Sequence, residues 1–125
     1  MKIWIGIGGI LGGLSVMLGA FGAHSLKSHL PPEKLTAFQT ATHYMSVHAL
    51  AILLVGLLSL QLGATYENRL KKVEIFFITG ILMFCGSIYI LSLGGPKLFG
   101  PITPLGGLSF MIGWFKLAWI FLKKN

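Results

Sequence analysis

The chain has 125 residues, of which 54% are hydrophobic and 10% are charged. A soluble domain carries about 25% charged residues, and a small one cannot hide this much apolar surface, so the composition excludes a water-soluble fold and indicates a membrane protein. The formal net charge of +7 comes from basic residues that lie between apolar runs and not in a cluster, so we expect no nucleic-acid partner.

Four uncharged stretches divide the chain, over residues 3–23, 35–66, 75–96 and 98–115. A membrane-spanning helix needs about 20 mostly apolar residues, and spanning strands would alternate instead of running continuously. The sequence therefore predicts an all-α integral membrane protein, one domain over residues 1–125, with a Pro/Gly-rich outer loop before the last helix. The four transmembrane helices are placed near residues 3–23, 40–62, 74–94 and 104–122.

The first stretch contains glycines at a four-residue spacing. It follows Lys2 and ends among small residues, as a signal peptide does, but its apolar run exceeds a signal core, so we expect it to be retained. Gly8 and Gly12, and likewise Gly9 and Gly13, have the spacing that lets a second helix approach closely. The partner is either another helix of this chain or an identical subunit, and we expect a homo-oligomer.

The second stretch is too long for one perpendicular span. Pro31, Pro32 and Glu33 suit a helix start, because proline is tolerated in the first turn and an acid favours the positive end of the helix dipole. We expect the front part of this helix to lie in the outer interface or project from it, and the membrane-buried part to begin near Thr40.

The direction in which each helix crosses the membrane predicts that several polar side chains lie together in its outer half. The first and third helices run outward, the second and fourth run inward, and "GPITPLGG" (residues 100–107) lies at the last turn. The residues that this threading brings to a similar depth are His24, Tyr44, His48, Ser87, Tyr89 and Thr103. Irregular backbone at membrane depth is tolerated only against protein or a water-filled cavity, so we predict a ligand-binding or structural polar cluster beneath this turn. The alternative is a plain turn outside the lipid, with each polar group bonded to a neighbouring helix.

The sequence offers no set of catalytic groups at membrane depth. Cys85 is the only cysteine, and the only acids, Glu33, Glu67 and Glu74, are expected at the interfaces. Neither a Ser/His/Asp triad nor a pair of carboxylates can therefore be assembled within the spans. We predict no catalytic residue, no metal, no cofactor and no enzymatic activity.

Three functions remain compatible with this pattern. The first is a homo-oligomeric, non-enzymatic protein whose outer-leaflet polar pocket binds or passes a lipid or small solute. The second is an accessory subunit of a larger membrane complex, packed through the glycine face of the first helix. The third is a haem- or metal-ligating redox protein that uses His24 and His48, because a histidine inside a span is costly and therefore a candidate for function.

Basic residues predict the orientation, because Lys and Arg favour the cytoplasmic side of a membrane. One side carries six of them, which are Lys2, Arg69, Lys71, Lys72, Lys123 and Lys124. The other side carries three, which are Lys27, Lys34 and Lys97. We therefore expect a multi-pass protein of the inner cell membrane, surrounded by membrane lipids, with both termini cytoplasmic. Lys116 lies inside the fourth helix, and we expect its ammonium group to reach the cytoplasmic interface near Glu74.

Four motifs, in this order, resemble a known family. They are "GAFGAHSL" (19–26), "TATHYMSVHALAILL" (40–54), "CGSIYILSL" (85–93) and "GPITPLGGLSFMIGW" (100–114). Over nearly its whole length the chain is similar to the small four-helix membrane proteins grouped as domain of unknown function 423, which are widespread in bacteria. The family pattern fits Gly19, Phe21, Gly22, His24, Tyr44, His48, Gly86, Ser87, Tyr89, Pro101, Thr103, Pro104 and Gly106. It does not include His29 or His43. The resemblance implies an integral membrane protein without an agreed biochemical activity.

Overall fold

The protein is a bundle of helices over residues 2–123, the part of the chain that the computed structural model describes. Helix α1 is Lys2–His24, α2 is Pro32–Leu62, α3 is Ala64–Gly80, α4 is Gly86–Ser92 and α5 is Ile102–Leu122. A π-helical turn, Ile81–Cys85, joins α3 to α4 without a break, and short 3₁₀ turns precede α2 and α5. No strand occurs in the described range, so the predicted all-α class is confirmed.

Four helical stretches are long and apolar enough to cross a membrane, namely Lys2–His24, Pro32–Leu62, Ala64–Ser92 and Lys97–Leu122. The third of them, called here the third span, consists of α3, the π-helical turn and α4. Four spanning helices is the number that the sequence predicts. Lys124, one of the basic residues used for the orientation, lies outside the described residues.

The second and third spans are joined by a single residue, Gly63. Its φ of 77° lies in the left-handed region, which glycine enters without the steric cost of a side chain. The third span consequently begins at Ala64, well before the boundary near residue 74 that the apolar run indicates. Its first turns carry charged residues such as Glu67 and Arg69. The charged residues therefore lie within the helix and do not mark where it starts.

Helix α1 packs on α2 through small residues spaced seven apart. Gly8, Ser15 and Gly22 are the buried residues of α1. A methyl group added at Gly8 would lie 2.9 Å from the carbonyl oxygen of Ala49, so the two backbones meet there at a distance that only glycine permits. By contrast, an added methyl group at Gly9, Gly12 or Gly13 would meet nothing within 4 Å. Of the four predicted packing glycines, only Gly8 is used inside the chain.

The central core lies between α2, the third span and α5. Its fully buried members include Ile52, Leu70, Val73 and Phe77. Helix α5 comes close to the third span where it carries glycine, since a methyl group at Gly113 would lie 2.7 Å from the ring of Phe77. These close contacts determine which face of α5 packs against the core.

The segment "GPITPLGG" is a turn only in its first part. The third span ends at Ser92, and helix α5 already begins at Ile102, so residues 103–107 are helical. Pro104 is accommodated because it lies in the first turn, where its missing N–H would have no partner within the helix. Gly106 is buried, and any side chain there would overlap the backbone of Phe84. The last helix, placed near residues 104–122 from the sequence, thus begins at Ile102, and only residues 100 and 101 of this segment precede it.

Candidate functional site

His48 lies near the centre of α2, buried between aromatic rings and bonded at both ring nitrogens. The residue is 3% exposed, and its ring lies flat on that of Phe110, with centroids 3.7 Å apart. Its Nδ1 is 2.7 Å from the carbonyl oxygen of Tyr44, and its Nε2 is 2.9 Å from Nε1 of Trp114. An indole N–H can only donate, so Nε2 is the acceptor and the hydrogen on Nδ1 is donated to Tyr44. The imidazole is therefore neutral, and both of its nitrogens are bonded.

An aromatic cavity of about 380 Å³ lies beside His48. Its walls include Tyr44, His48, Phe84, Gly107, Phe110 and Trp114, and this cavity is called the His48 pocket. Tyr44 and Trp114 are each about two-fifths exposed, so the pocket opens on the outer surface of the bundle. In a membrane that surface faces lipid. Binding sites for small molecules typically occupy about 300–1,000 Å³ and are mostly apolar with a few polar groups, and the His48 pocket has this character.

Of the residues that line the His48 pocket, the sequence analysis predicts only Tyr44 and His48, and the most important one that it misses is Trp114. It lies 66 positions from His48 along the chain, within an apolar helix where tryptophan serves equally well as a lipid-facing side chain. The match between one indole donor and one imidazole acceptor depends on the rotation of α5 about its axis. That rotation is fixed by Gly106 and Gly113, whose packing on the third span is visible only in three dimensions.

Ser87 and Thr103 form a separate pair near the start of α5. Ser87 Oγ donates to the carbonyl oxygen of Phe84 at 3.0 Å, and the two hydroxyl oxygens are 2.5 Å apart. Because the single Ser87 hydrogen is already used, Thr103 is the donor of the second bond. The pair joins the third span to α5.

Tyr89 finds its partner on α2. Its hydroxyl is 2.8 Å from Oγ1 of Thr42, which itself donates to the carbonyl oxygen of Phe38 at 3.0 Å. Tyr89 is therefore the donor to Thr42, a residue that the sequence analysis does not single out. Its ring also packs against that of Phe38, with centroids 4.8 Å apart.

The six predicted residues are thus distributed over separate contacts. Tyr44 and His48 share the His48 pocket, Ser87 pairs with Thr103, and Tyr89 pairs with Thr42. His24 is exposed at the end of α1, and among residues 2–123 it makes no side-chain hydrogen bond to the other five. A hydroxyl group can bond to a carbonyl oxygen one turn back in its own helix. Each pair can therefore satisfy its hydrogen bonds without contacting the other predicted residues.

Cys85 and Glu74 are buried polar side chains that lie elsewhere in the bundle. The thiol of Cys85 donates to the carbonyl oxygen of Ala41 at 3.2 Å, which ties the third span to α2. Glu74 is 0% exposed, and its carboxyl oxygens have no hydrogen-bond partner within the described residues. Ten residues of helix precede Glu74 in the third span, and its placement at a membrane interface stays a prediction. Its carboxyl group does not bond to Lys116.

Within residues 2–123, no three side chains of His, Cys, Asp or Glu are grouped so that they could hold a metal ion. The hydrogen bonds of His48 are relevant to the hypothesis that this residue ligates haem iron. Both nitrogens are engaged inside the protein, so iron ligation at Nε2 would require the Trp114 bond to break.

Comparisons with known proteins give a consistent result. The family model described as "Protein of unknown function (DUF423)" matches residues 18–107. The chain is 38% identical to the UPF0382 membrane protein YwdK of Bacillus subtilis over 94% of both chains. It is 40% identical to a UPF0382 membrane protein of Staphylococcus aureus, over 94% of this chain and 93% of the relative. The identity to a UPF0382 membrane protein of Haemophilus influenzae is 35%, over 88% and 86%. No solved structure matches.

Proposed function

The chain belongs to the DUF423 family of membrane proteins of unknown function, and from that premise we propose that it binds a membrane-soluble molecule in the His48 pocket. The ligand is a lipid or a small solute that reaches the pocket from the bilayer. The protein acts as a homo-oligomer and carries out no chemical step on this ligand.

The observation that carries the proposal is the bond between Trp114 and His48 at the edge of an open aromatic cavity. A polar side chain inside a membrane is costly unless it is bonded. Here the bond also holds Trp114 in place as one wall of the cavity. The remaining walls are the ring faces of Tyr44, Phe84 and Phe110. Such walls suit a planar ring or an unsaturated chain, which would stack on them.

The glycine face of α1 supports the homo-oligomer. Gly9, Gly12 and Gly13 border a groove of about 310 Å³ between α1 and α2, and no atom of residues 2–123 would contact a methyl group added at any of the three. Glycines at this spacing let two helix backbones approach closely in lipid. The same face would serve an accessory subunit if its partner were a different protein, so the identity of the bound chain separates the two functions.

The proposal is tested by a substitution that places a larger side chain inside the His48 pocket. A methyl group at Gly107 would make ordinary contact with the ring of Phe84, at 3.7 Å, so Gly107→Ala is the matched control. Gly107→Leu extends into the cavity. Each protein is incubated with a total bacterial lipid extract, repurified in detergent, and extracted for mass spectrometry. We expect a molecule that copurifies with the wild type and with Gly107→Ala, and that is depleted at least tenfold in Gly107→Leu.

Equal retention of every extract component by all three proteins would contradict the pocket. Two further readouts on the same samples address the alternatives. A Soret absorption band in the wild type would favour the haem-ligating protein. A second polypeptide at fixed stoichiometry would favour the accessory subunit. We expect a colourless protein and one polypeptide.

A further inference from the structure

A second, larger groove adjoins the His48 pocket along α5, and Met111 lines both. It encloses about 560 Å³ and is lined by Lys116 and by apolar side chains that include Phe76, Ile112, Phe115 and Trp119; it is called the Lys116 groove. Phe115 is 73% exposed and Trp119 is 64% exposed. Because α5 belongs to a membrane-spanning stretch, these exposed apolar surfaces contact lipid.

Lys116 does not bond to Glu74, the acid that the described residues 2–123 place inside the bundle. It lies six residues before the end of α5, or roughly 9 Å of helix. The chain has only three acids, and Glu74, the one inside the bundle, makes no hydrogen bond within the described residues. A lysine in this position extends its ammonium group toward the membrane interface, where phosphate groups lie.

The surroundings of Lys116 fit an amphiphile. The apolar residues of the groove follow the helix away from Lys116 toward the middle of the bilayer, and Trp119 lies one turn closer to the end of the helix. Tryptophan favours the level of the lipid headgroups. The basic residues Lys71, Lys72 and Lys123 belong to the same end of the bundle, so the local potential there favours an anion.

We propose that the Lys116 groove is a binding site for one anionic phospholipid of the surrounding leaflet. One acyl chain lies against Phe76, Ile112 and Phe115, and the lipid phosphate pairs with the Lys116 ammonium group. A zwitterionic lipid carries its own cation beside the phosphate, so it gains less from Lys116. A second copy of this chain is a poorer occupant, because it offers no exposed acid at membrane depth to meet the lysine.

The test measures the first lipid that binds. Detergent-purified protein is titrated with dioleoylphosphatidylglycerol or dioleoylphosphatidylcholine, and native mass spectrometry gives the affinity for the first bound lipid. We expect the wild type to prefer phosphatidylglycerol. Lys116→Gln should weaken phosphatidylglycerol binding about fivefold, the effect of one basic residue near a membrane surface, with little change for phosphatidylcholine. Lys116→Arg should keep the preference.

Lys72→Gln is the matched control, since it removes one positive charge from the same end of the bundle outside the groove. The proposal is overturned if Lys72→Gln and Lys116→Gln lower phosphatidylglycerol binding equally, because general electrostatic attraction would then suffice. It is also overturned if the wild type binds the two lipids equally, or if inorganic phosphate at matched concentration displaces the phosphatidylglycerol. Repeating the titrations in the Gly107→Leu background, in which the His48 pocket is filled, separates a lipid bound in that pocket from one bound in the Lys116 groove.

Discussion

Replacing Trp114 by phenylalanine removes one hydrogen-bond donor and keeps an aromatic ring in the wall of the His48 pocket. The Nε2 atom of His48 then loses the donor that lies 2.9 Å away. The pocket beside His48 opens toward lipid, which offers no hydrogen-bond donor to replace the indole. The variant therefore tests whether the pairing of His48 with Trp114 contributes to the fold.

The size of the effect follows from the burial of that acceptor. An interhelical hydrogen bond in a membrane protein contributes about 0.6 kcal/mol on average and about 1.7 kcal/mol at most. A buried acceptor left without a donor costs about 1–3 kcal/mol. We expect Trp114→Phe to lower the free energy of unfolding by about 1–2 kcal/mol, which is a fivefold to thirtyfold change in the unfolding equilibrium.

Trp119→Phe is the control, because it makes the same chemical change at a lipid-facing position, and it should shift the free energy of unfolding by less than about 0.5 kcal/mol. Unfolding is measured in mixed micelles with increasing sodium dodecyl sulfate and followed by circular dichroism at 222 nm, which does not depend on the altered indoles. In the double variant His48→Phe/Trp114→Phe both partners are absent, so it should be less destabilised than the two single effects added together. Equal destabilisation by Trp114→Phe and Trp119→Phe would refute the reasoning.

Three further predictions concern the glycines and the orientation. Gly8→Leu should destabilise the fold in the same unfolding assay, since α1 and α2 touch there, whereas Gly13→Leu should leave the monomer folded and reduce the subunit number measured by light scattering. A molecular mass that Gly13→Leu leaves unchanged would show that the glycine face of α1 does not form the subunit interface. Gly106→Ala should prevent correct docking of α5 and lower the yield of folded protein, and a stability equal to that of the wild type would contradict the close packing on Phe84. A cysteine at Ser28 should react with a membrane-impermeant thiol reagent from outside the cell and one at Asn68 should not, because the basic residues favour cytoplasmic termini; the reverse pattern would contradict the orientation.

The sequence is sufficient to predict the number of helices, for a simple physical reason. Lipid cannot satisfy backbone hydrogen bonds, so a continuous apolar run of sufficient length must be helical. The same argument does not predict where a helix begins outside the lipid. The charged residues between Ala64 and Glu74 belong to the third span because Gly63 completes the turn in one residue.

The candidate site is less accessible to prediction from sequence. Threading brings His48 and Tyr44 to the right region, because both lie on one helix, one turn apart. Threading does not identify Trp114, because the pairing of this residue depends on how α5 is rotated about its axis. It also predicts that more hydroxyl groups come together than do so in the structure. Ser87 does meet Thr103, another predicted residue, whereas Tyr89 meets Thr42. Glu74 shows the same limit, since its position along the chain does not predict that neighbouring helices bury it.

The central claim is that the His48 pocket holds a molecule from the membrane. The most direct measurement is a density map from crystals grown in a lipid mesophase that is doped with total bacterial lipid extract. We predict continuous non-protein density bounded by Tyr44, Phe84 and Trp114, with Trp114 still bonded to His48, and no such density in Gly107→Leu. A wild-type map in which side chains close the pocket and no ligand density is present would contradict the claim.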